Sequence, residues 1–352
     1  MANDALRIGI IGVGFGATVH VPGFQSEGWD VPVVWGRTRS RAQEAADRLG
    51  VPEVAEDWRE LVARDDLDAV AITTPPSAHL EMVTAALNAG KHVLCEKPFA
   101  LSAGEAEQML ALAASTGRTA MVAHEFRWAP QRAQIKQLLT EGYIGQPQIV
   151  SAELLLGRPA GAPPPMAWGA QRSEGGGFLG GLGSHYIDGF RHWFGDVAHA
   201  SGTLRTVRPD RVDPSGAVVQ ADSDDTFAFT LEFESGVVVS MTASSAVSPS
   251  QGARITIVGT DGVLVATQRG PNPEPDGVVL AGKSTDRALT ELPIPDYARP
   301  FEDDRDQRLV AFRLLVREFE RGIREGISPA PNFADALATQ RVLDAIRAGA
   351  ES

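Results

Sequence analysis

From Arg7 to about Gly145, short apolar runs rich in β-branched residues alternate with longer stretches in which apolar positions recur at helical spacing. The runs RIGIIG, VPVVWG, DAVAITT, KHVLCEK and TAMVAHE predict five strands, and their alternation with helices predicts a parallel sheet covered on its faces. Local chemistry agrees with this division. Ser102 and Glu105 have capping-box spacing, Asp57 with Glu60 resembles one, and Gly90 and Gly117 fall where helices should stop.

After Gly145 the rhythm changes. PQIVSAELLLG, DTFAFTLEF, GVVVSMTASSAV, ARITIVG and GVLVATQ follow one another with turns and hardly a helix between them, which predicts a large, mostly antiparallel open sheet. Glu234-Ser-Gly236 and Gly259-Thr-Asp-Gly262 read as hairpin turns. Residues 157–177 read as a long Pro- and Gly-rich loop, 183–194 as a helix behind a glycine run, and GPNPEPDG at 270–277 as a solvated loop. Helical period returns from Asp304 to Gly326 and from Asn332, a plausible cap, to Ala348. The expected fold class is α/β: a doubly wound parallel sheet over residues 1–125, then an α/β domain over 126–352 whose last helices are free to pack back on the first.

Composition narrows the function classes. A chain of 352 residues is long enough for two domains. Its formal charge of −13 argues against a broad electrostatic grip on nucleic acid or anionic membrane. Cys95 is the single cysteine, so neither an intrachain disulfide nor a cysteine metal cluster can form. The opening MANDALRIGIIGVG has no basic region before its apolar run, and no stretch of about eighteen apolar residues occurs, so a cytoplasmic protein is expected.

Candidate chemistry begins at Gly12-Val-Gly14-Phe15-Gly16-Ala17, between the first predicted strand and its helix. In that context the first glycine permits the tight turn, the second admits a pyrophosphate to the backbone, and a small residue at 17 allows close helix packing, the pattern of a Rossmann dinucleotide site. An NAD-dedicated site usually ends its second strand with a carboxylate for the ribose hydroxyls. Here the chain reads Gly36-Arg37-Thr38-Arg39, which offers guanidiniums to a 2′-phosphate and predicts NADP(H) ahead of NAD(H).

Together with that loop, AITTPPSAH (71–79), AGKHVLCEKP (89–98) and GGGFLGGLGSHYID (175–188) closely resemble the glucose–fructose oxidoreductase / inositol dehydrogenase / MocA family. The resemblance implies a Rossmann domain followed by an open-sheet α/β domain that often builds homodimers or homotetramers, and a sugar, cyclitol or polyol substrate. It puts Thr74, Pro75, Pro76, His79 and Glu96 at the cofactor edge, and Lys97 and His185 at the reacting carbon. The chemistry of the residues is compatible. Oxidising a secondary alcohol releases a hydroxyl proton that His185 can exchange near neutral pH, and Lys97 at a strand end can stabilise the developing alkoxide.

One departure stands out: family members commonly carry Asp four residues before this histidine, where this chain has Gly181. Glu125, at the end of the run TAMVAHE, could supply the missing charge. Asp188, one turn after His185, could orient the imidazole or equally serve as a helix-surface or inter-helix partner. Alternatively the pocket has widened or changed its chemistry. Arg127, Trp168 and Arg172 are further candidates, Trp168 equally as an anchor of the loop against the core and Arg172 also toward the cofactor, while His20 is expected to cap or pack under the first helix and no metal site is expected. The resulting expectation is an NADP(H)-preferring oxidoreductase of sugar-like alcohols. A redox-neutral nicotinamide-dependent glycoside-cleaving enzyme and a non-catalytic NADP-binding sensor are the alternatives.

Overall fold

The computed structural model describes residues 5–157, 161–273 and 277–350, so residues 158–160 and 274–276 of the two expected loops lie outside the described residues. In the first part of the chain, β1 (Arg7–Ile11), α1 (Val21–Ser26), β2 (Asp30–Trp35), α2 (Arg39–Leu49), β3 (Glu53–Val54), α3 (Trp58–Val62), β4 (Ala69–Ile72), α4 (His79–Asn88), β5 (His92–Cys95), α5 (Ala103–Thr116) and β6 (Ala120–Val122) alternate. The six strands pair in parallel in the order β3-β2-β1-β4-β5-β6. All four residues of β4 are buried, as expected of a strand covered on both faces. β3 escaped the sequence pattern because two residues are too few to show alternation.

Helix ends follow the expected chemistry with one change. Ser102 Oγ accepts from the Glu105 N–H at 3.3 Å, and Glu105 reaches back to the Leu101 N–H at 2.9 Å. Asp57 caps alone, accepting from the Arg59 N–H at 2.8 Å.

The chain continues through α6 (Pro130–Thr140), β7 (Pro147–Gly157), α7 (Ser184–Phe194), β8 (Val197–Arg205), the short pair β9 (Asp210–Val212) and β10 (Val218–Gln220), then β11 (Thr226–Phe233), β12 (Val238–Val247), β13 (Gly252–Gly259), β14 (Gly262–Gln268), β15 (Val278–Lys283) and β16 (Thr290–Leu292). Eight strands make one sheet in the order β16-β15-β14-β13-β7-β12-β11-β8, antiparallel except where β7 meets β12. Both expected hairpin turns join neighbours, β11 to β12 and β13 to β14. Along β11, Phe227, Phe229, Leu231 and Phe233 are buried while Ala228, Thr230 and Glu232 are exposed. The buried face packs on Tyr186, Ile187 and Phe190 of α7. β8, β15 and β16 were not expected. β8 and β16 are edge strands with few apolar positions.

Two helices close the chain: α8 (Leu309–Glu325) and α9 (Phe333–Ala350), the latter capped by Asn332, whose Oδ1 accepts from the Ala334 N–H at 2.9 Å. α8 starts later than Asp304 because Asp306 engages its neighbour, accepting from the Arg308 N–H and guanidinium. Contacts divide the chain into two units, residues 1–125 with 303–340, and residues 126–302 with 341–352. Within the first unit, Phe312 and Phe319 of α8 pack edge-on against Phe24, and Trp29 stacks on Phe319 at 5.9 Å. Arg313 and Arg317 reach Glu27 at 2.7 and 2.6 Å. Among the described residues no helix is long and apolar enough to cross a membrane.

Candidate active site

The glycine loop leaves β1 at Gly12, whose φ of +110° belongs to glycine, and a Cβ there would lie 2.8 Å from the Thr73 carbonyl oxygen. Thr73 donates its hydroxyl to the Ile11 and Gly12 carbonyls at 3.0 and 2.9 Å, tying the loop to the end of β4. Gly14 is exposed, and a Cβ added there would meet no atom within 4 Å, so the loop presents the bare backbone that a pyrophosphate needs. Phe15 leads into one π-turn, Gly16–His20, in which Ala17 is buried, and α1 follows.

At the end of β2, Gly36 fills a tight place, its imagined Cβ 2.6 Å from Val13. Arg37 and Thr38 are exposed, and among the described residues Arg37 has no ion-pair partner. Arg39 is shared with Glu56 at 2.7 Å on the open surface, a pair worth about 0–1 kcal/mol and easily exchanged for a phosphate. The residues present fit a nicotinamide dinucleotide.

Lys97 follows β5, at the C-terminal edge of the parallel sheet, where such folds hold ligands. Its backbone N–H donates to Glu96 Oε2 at 3.1 Å, while Glu96 Oε1 meets His20 Nε2 at 2.9 Å. Burial opposes ionisation of Glu96, but the His20 bond and the nearby Lys97 charge outweigh it and hold the carboxyl below the ordinary range. Glu96, expected at the cofactor edge, engages both its oxygens within the protein. His79, expected there too, is fully buried with Nδ1 3.0 Å from the Phe99 carbonyl and Nε2 2.9 Å from that of Thr74, so it supports the Thr74-Pro75-Pro76 turn from behind.

Glu125 is 2% exposed, and burial together with the Glu96 charge pushes its carboxyl up to about 8. At neutral pH it holds a proton. It therefore offers an acid, and not the fixed charge that the gap at Gly181 led us to expect.

In the second unit the glycine run is pinned from one side. Gly177, at φ +121°, has no room for a Cβ beside the Asp224 carboxylate, which also accepts from the Leu179 N–H at 2.7 Å. A π-turn, Leu179–Gly183, then delivers His185 into the first turn of α7. The His185 ring is buried and stacks on Phe126 at 3.8 Å with an 8° interplanar angle. Gly181 faces open space, with nothing within 4 Å of an added Cβ.

Asp188 is bound by Arg127: Nε donates to Oδ2 at 2.8 Å and Nη2 to Oδ1 at 2.6 Å, both side chains being buried. This forked pair gives Asp188 the partner on another element that was the alternative to orienting the imidazole, and it engages the guanidinium of Arg127 that was expected to face substrate. Trp168 lies on a 3₁₀ turn and is 41% exposed, so it does not anchor the loop in the core. Arg172 is exposed, its backbone N–H held by Asp222 at 2.7 Å.

Sequence reasoning missed three participants. His20 was expected to cap or pack under the first helix and not to meet Glu96, and Asp224 was not singled out, although the DSDD run at 222–225 advertises side chains that bind backbone N–H groups. Arg132 is fully buried with its guanidinium 4.4 Å from the Tyr186 ring and 5.7 Å from that of Phe126, the ring that stacks on His185. Among the described residues no group of three or more His, Cys, Asp or Glu is arranged to hold a metal ion.

A parallel sheet in the order β3-β2-β1-β4-β5-β6, with a glycine loop behind its first strand, is the architecture of a Rossmann-type dinucleotide-binding fold. Residues 6–124 match the description "Oxidoreductase family, NAD-binding Rossmann fold", and residues 133–265 match "GFO/IDH/MocA C-terminal domain". The chain belongs to the Gfo/Idh/MocA oxidoreductase family. It is similar to an oxidoreductase domain protein from Kribbella flavida, at 30% identity and a TM-score of 0.88 over 99% of this chain and 97% of that one. Levoglucosan dehydrogenase of Pseudarthrobacter phenanthrenivorans is 27% identical over 97% of this chain and 95% of its own length. A solved levoglucosan dehydrogenase in complex with NADH and L-sorbose superposes with a TM-score of 0.89 at 27% identity, covering 98% and 97% of the two chains. D-xylose 1-dehydrogenase (NADP(+)) 2 of Haloferax volcanii is 27% identical over 99% of this chain and 98% of its own.

Proposed function

We propose that this oxidoreductase interconverts a secondary hydroxyl and a ketone on a sugar, cyclitol or polyol-like compound, with NADP(H) preferred over NAD(H). When bound, the nicotinamide supplies the acceptor or donor for direct hydride transfer. The observation that carries the assignment is Lys97 at the C-terminal edge of the sheet that bears the glycine loop, its backbone fixed by a buried, ionised Glu96. Lys97 hydrogen-bonds the reacting oxygen and stabilises its developing negative charge. His185, held flat against Phe126, exchanges the hydroxyl proton. Glu125 keeps a proton in reserve within reach of the Lys97 charge. Trp168 and Arg172 of the second unit are assigned to ring stacking and polar contact.

The preference for NADP(H) is supported by the exposed Arg37 and the lack of a carboxylate at Gly36, and by the NADP(+) relative; the relative bound to NADH keeps NAD(H) as the second choice. Sugar chemistry is supported by the levoglucosan and xylose dehydrogenases. A homodimer or homotetramer formed through the exposed face of the eight-stranded sheet, in the cytoplasm, completes the proposal. Purified protein is screened against sugars, polyols and keto-sugars with both cofactors in parallel. NADP-linked oxidation or reduction that is lost in Lys97→Ala is expected. Glycoside turnover without net change in NADPH would replace this assignment with the redox-neutral alternative.

A further inference from the structure

We propose that the buried His20–Glu96 pair is a positioning device that ties Lys97 to the glycine loop, so that filling the loop with a dinucleotide also fixes the backbone of Lys97. The proposal rests on the assignment of Lys97 above and adds two residues that act through it.

The geometry makes a continuous path within the first unit. His20 is the last residue of the π-turn that begins at Gly16, and its ring is fully buried. Phe312 lies 4.3 Å away, Phe15 5.8 Å and Phe24 6.2 Å, centroid to centroid, so the imidazole cannot swing without displacing aromatic rings. Phe15 is itself part of the glycine loop and carries the Arg308 guanidinium over its ring at 4.8 Å. From this wall His20 Nε2 reaches Glu96 Oε1, and the other oxygen of the same carboxylate accepts the N–H of Lys97.

The chemistry of the pair is asymmetric in a way that packing alone does not require. An ionised carboxylate can only accept, so the hydrogen between them sits on Nε2. Nδ1 has no hydrogen-bond partner among the described residues and faces apolar surroundings. One nitrogen of the ring is thus spent on Glu96 and the other on nothing. A phenylalanine would fill this aromatic pocket at less cost if filling were the only requirement. The Glu96 backbone N–H is bonded to Ile72 of β4 at 2.9 Å, which leaves the carboxylate as the adjustable link between loop and lysine.

The test compares His20→Phe, His20→Gln, Glu96→Gln and Lys97→Ala with the wild type. Each is followed by NADP+ titration, by steady-state kinetics on the best substrate of the screen, and by hydrogen–deuterium exchange of the 93–101 segment with and without NADP+. In the wild type, NADP+ is expected to slow exchange across that segment. In His20→Phe and Glu96→Gln, NADP+ binds within about threefold of the wild-type affinity, the slowing is lost, and kcat falls at least about tenfold with little change in KM. His20→Gln, whose amide N–H can take the place of Nε2–H, restores both. Unchanged exchange coupling and kcat in a folded His20→Phe, or failure of His20→Gln to rescue, would overturn the positioning role. Full turnover by Lys97→Ala with exchange coupling intact would instead remove the assignment of Lys97 and leave the coupling standing.

Discussion

Glutamine in place of Glu125 isolates the energetic cost of keeping one buried acid protonated. The carboxyl moves from an ordinary 4.5 to about 8 in the fold, first through burial and then through Glu96. At about 1.36 kcal/mol per pH unit, that displacement is worth on the order of 5 kcal/mol, an upper bound because entering water can relieve it. For the sign, the unfolded chain releases the Glu125 proton near 4.5 while the folded chain holds it until about 8. The folded state binds more protons across this window, so its stability falls as pH rises through it and levels off on either side. Urea unfolding of wild type and Glu125→Gln from about pH 5.5 to about pH 8 should show the wild type losing about 3 kcal/mol relative to the variant. The same isosteric amide removes the titration without opening a cavity. A difference that stays constant with pH would refute the protonated Glu125 and return it to the role of a fixed charge.

Replacing Arg37 by Asp is expected to weaken NADP+ about 10- to 100-fold while leaving NAD+ nearly unchanged, as read by calorimetric titration; Arg39→Ala should do less, since Glu56 already shares that guanidinium. Arg127→Ala takes the forked guanidinium away from the buried Asp188 carboxylate, and should cost about 3–5 kcal/mol in denaturant unfolding. The double replacement Arg127→Leu with Asp188→Leu should recover much of that loss, and equal losses in single and double variants would contradict it. Gly181→Asp meets open space, so its stability should stay within about 0.5 kcal/mol of wild type. Its turnover and pH profile on secondary alcohols should change if a carboxylate belongs there, and an unaltered profile would speak against that role.

The parallel sheet could be read from the sequence because β1, β4 and β5 are almost continuously buried, which leaves an unbroken apolar run in the chain. β11 and β12 were equally plain, since one face is buried and the residues alternate. β8 and β16 carry too few apolar residues to leave such a trace, and their pairing is dictated by neighbours. The same distinction holds in the candidate site. Gly12, Gly14, Lys97 and His185 lie in local motifs, and each was placed from its immediate neighbours. Glu96 with His20 and Arg127 with Asp188 join residues 76 and 61 positions apart, a separation at which no spacing rule operates. Glu125 is instructive in another way: its position at the end of β6 was legible, but its protonation depends on burial and on Glu96, which no local pattern records.

The return of α8 to the first unit bears on how this protein is made. A nascent chain that has just delivered Glu125 holds every strand of the parallel sheet, yet Phe24 and Trp29 still lack Phe312 and Phe319, and His20 lacks the aromatic ring closest to it. The first unit to be translated is therefore completed only after the whole eight-stranded sheet has emerged. A fragment cut at the apparent boundary would carry the glycine loop and Lys97 with an open aromatic wound beside them, whereas grafting residues 303–340 onto that fragment would supply the missing lining.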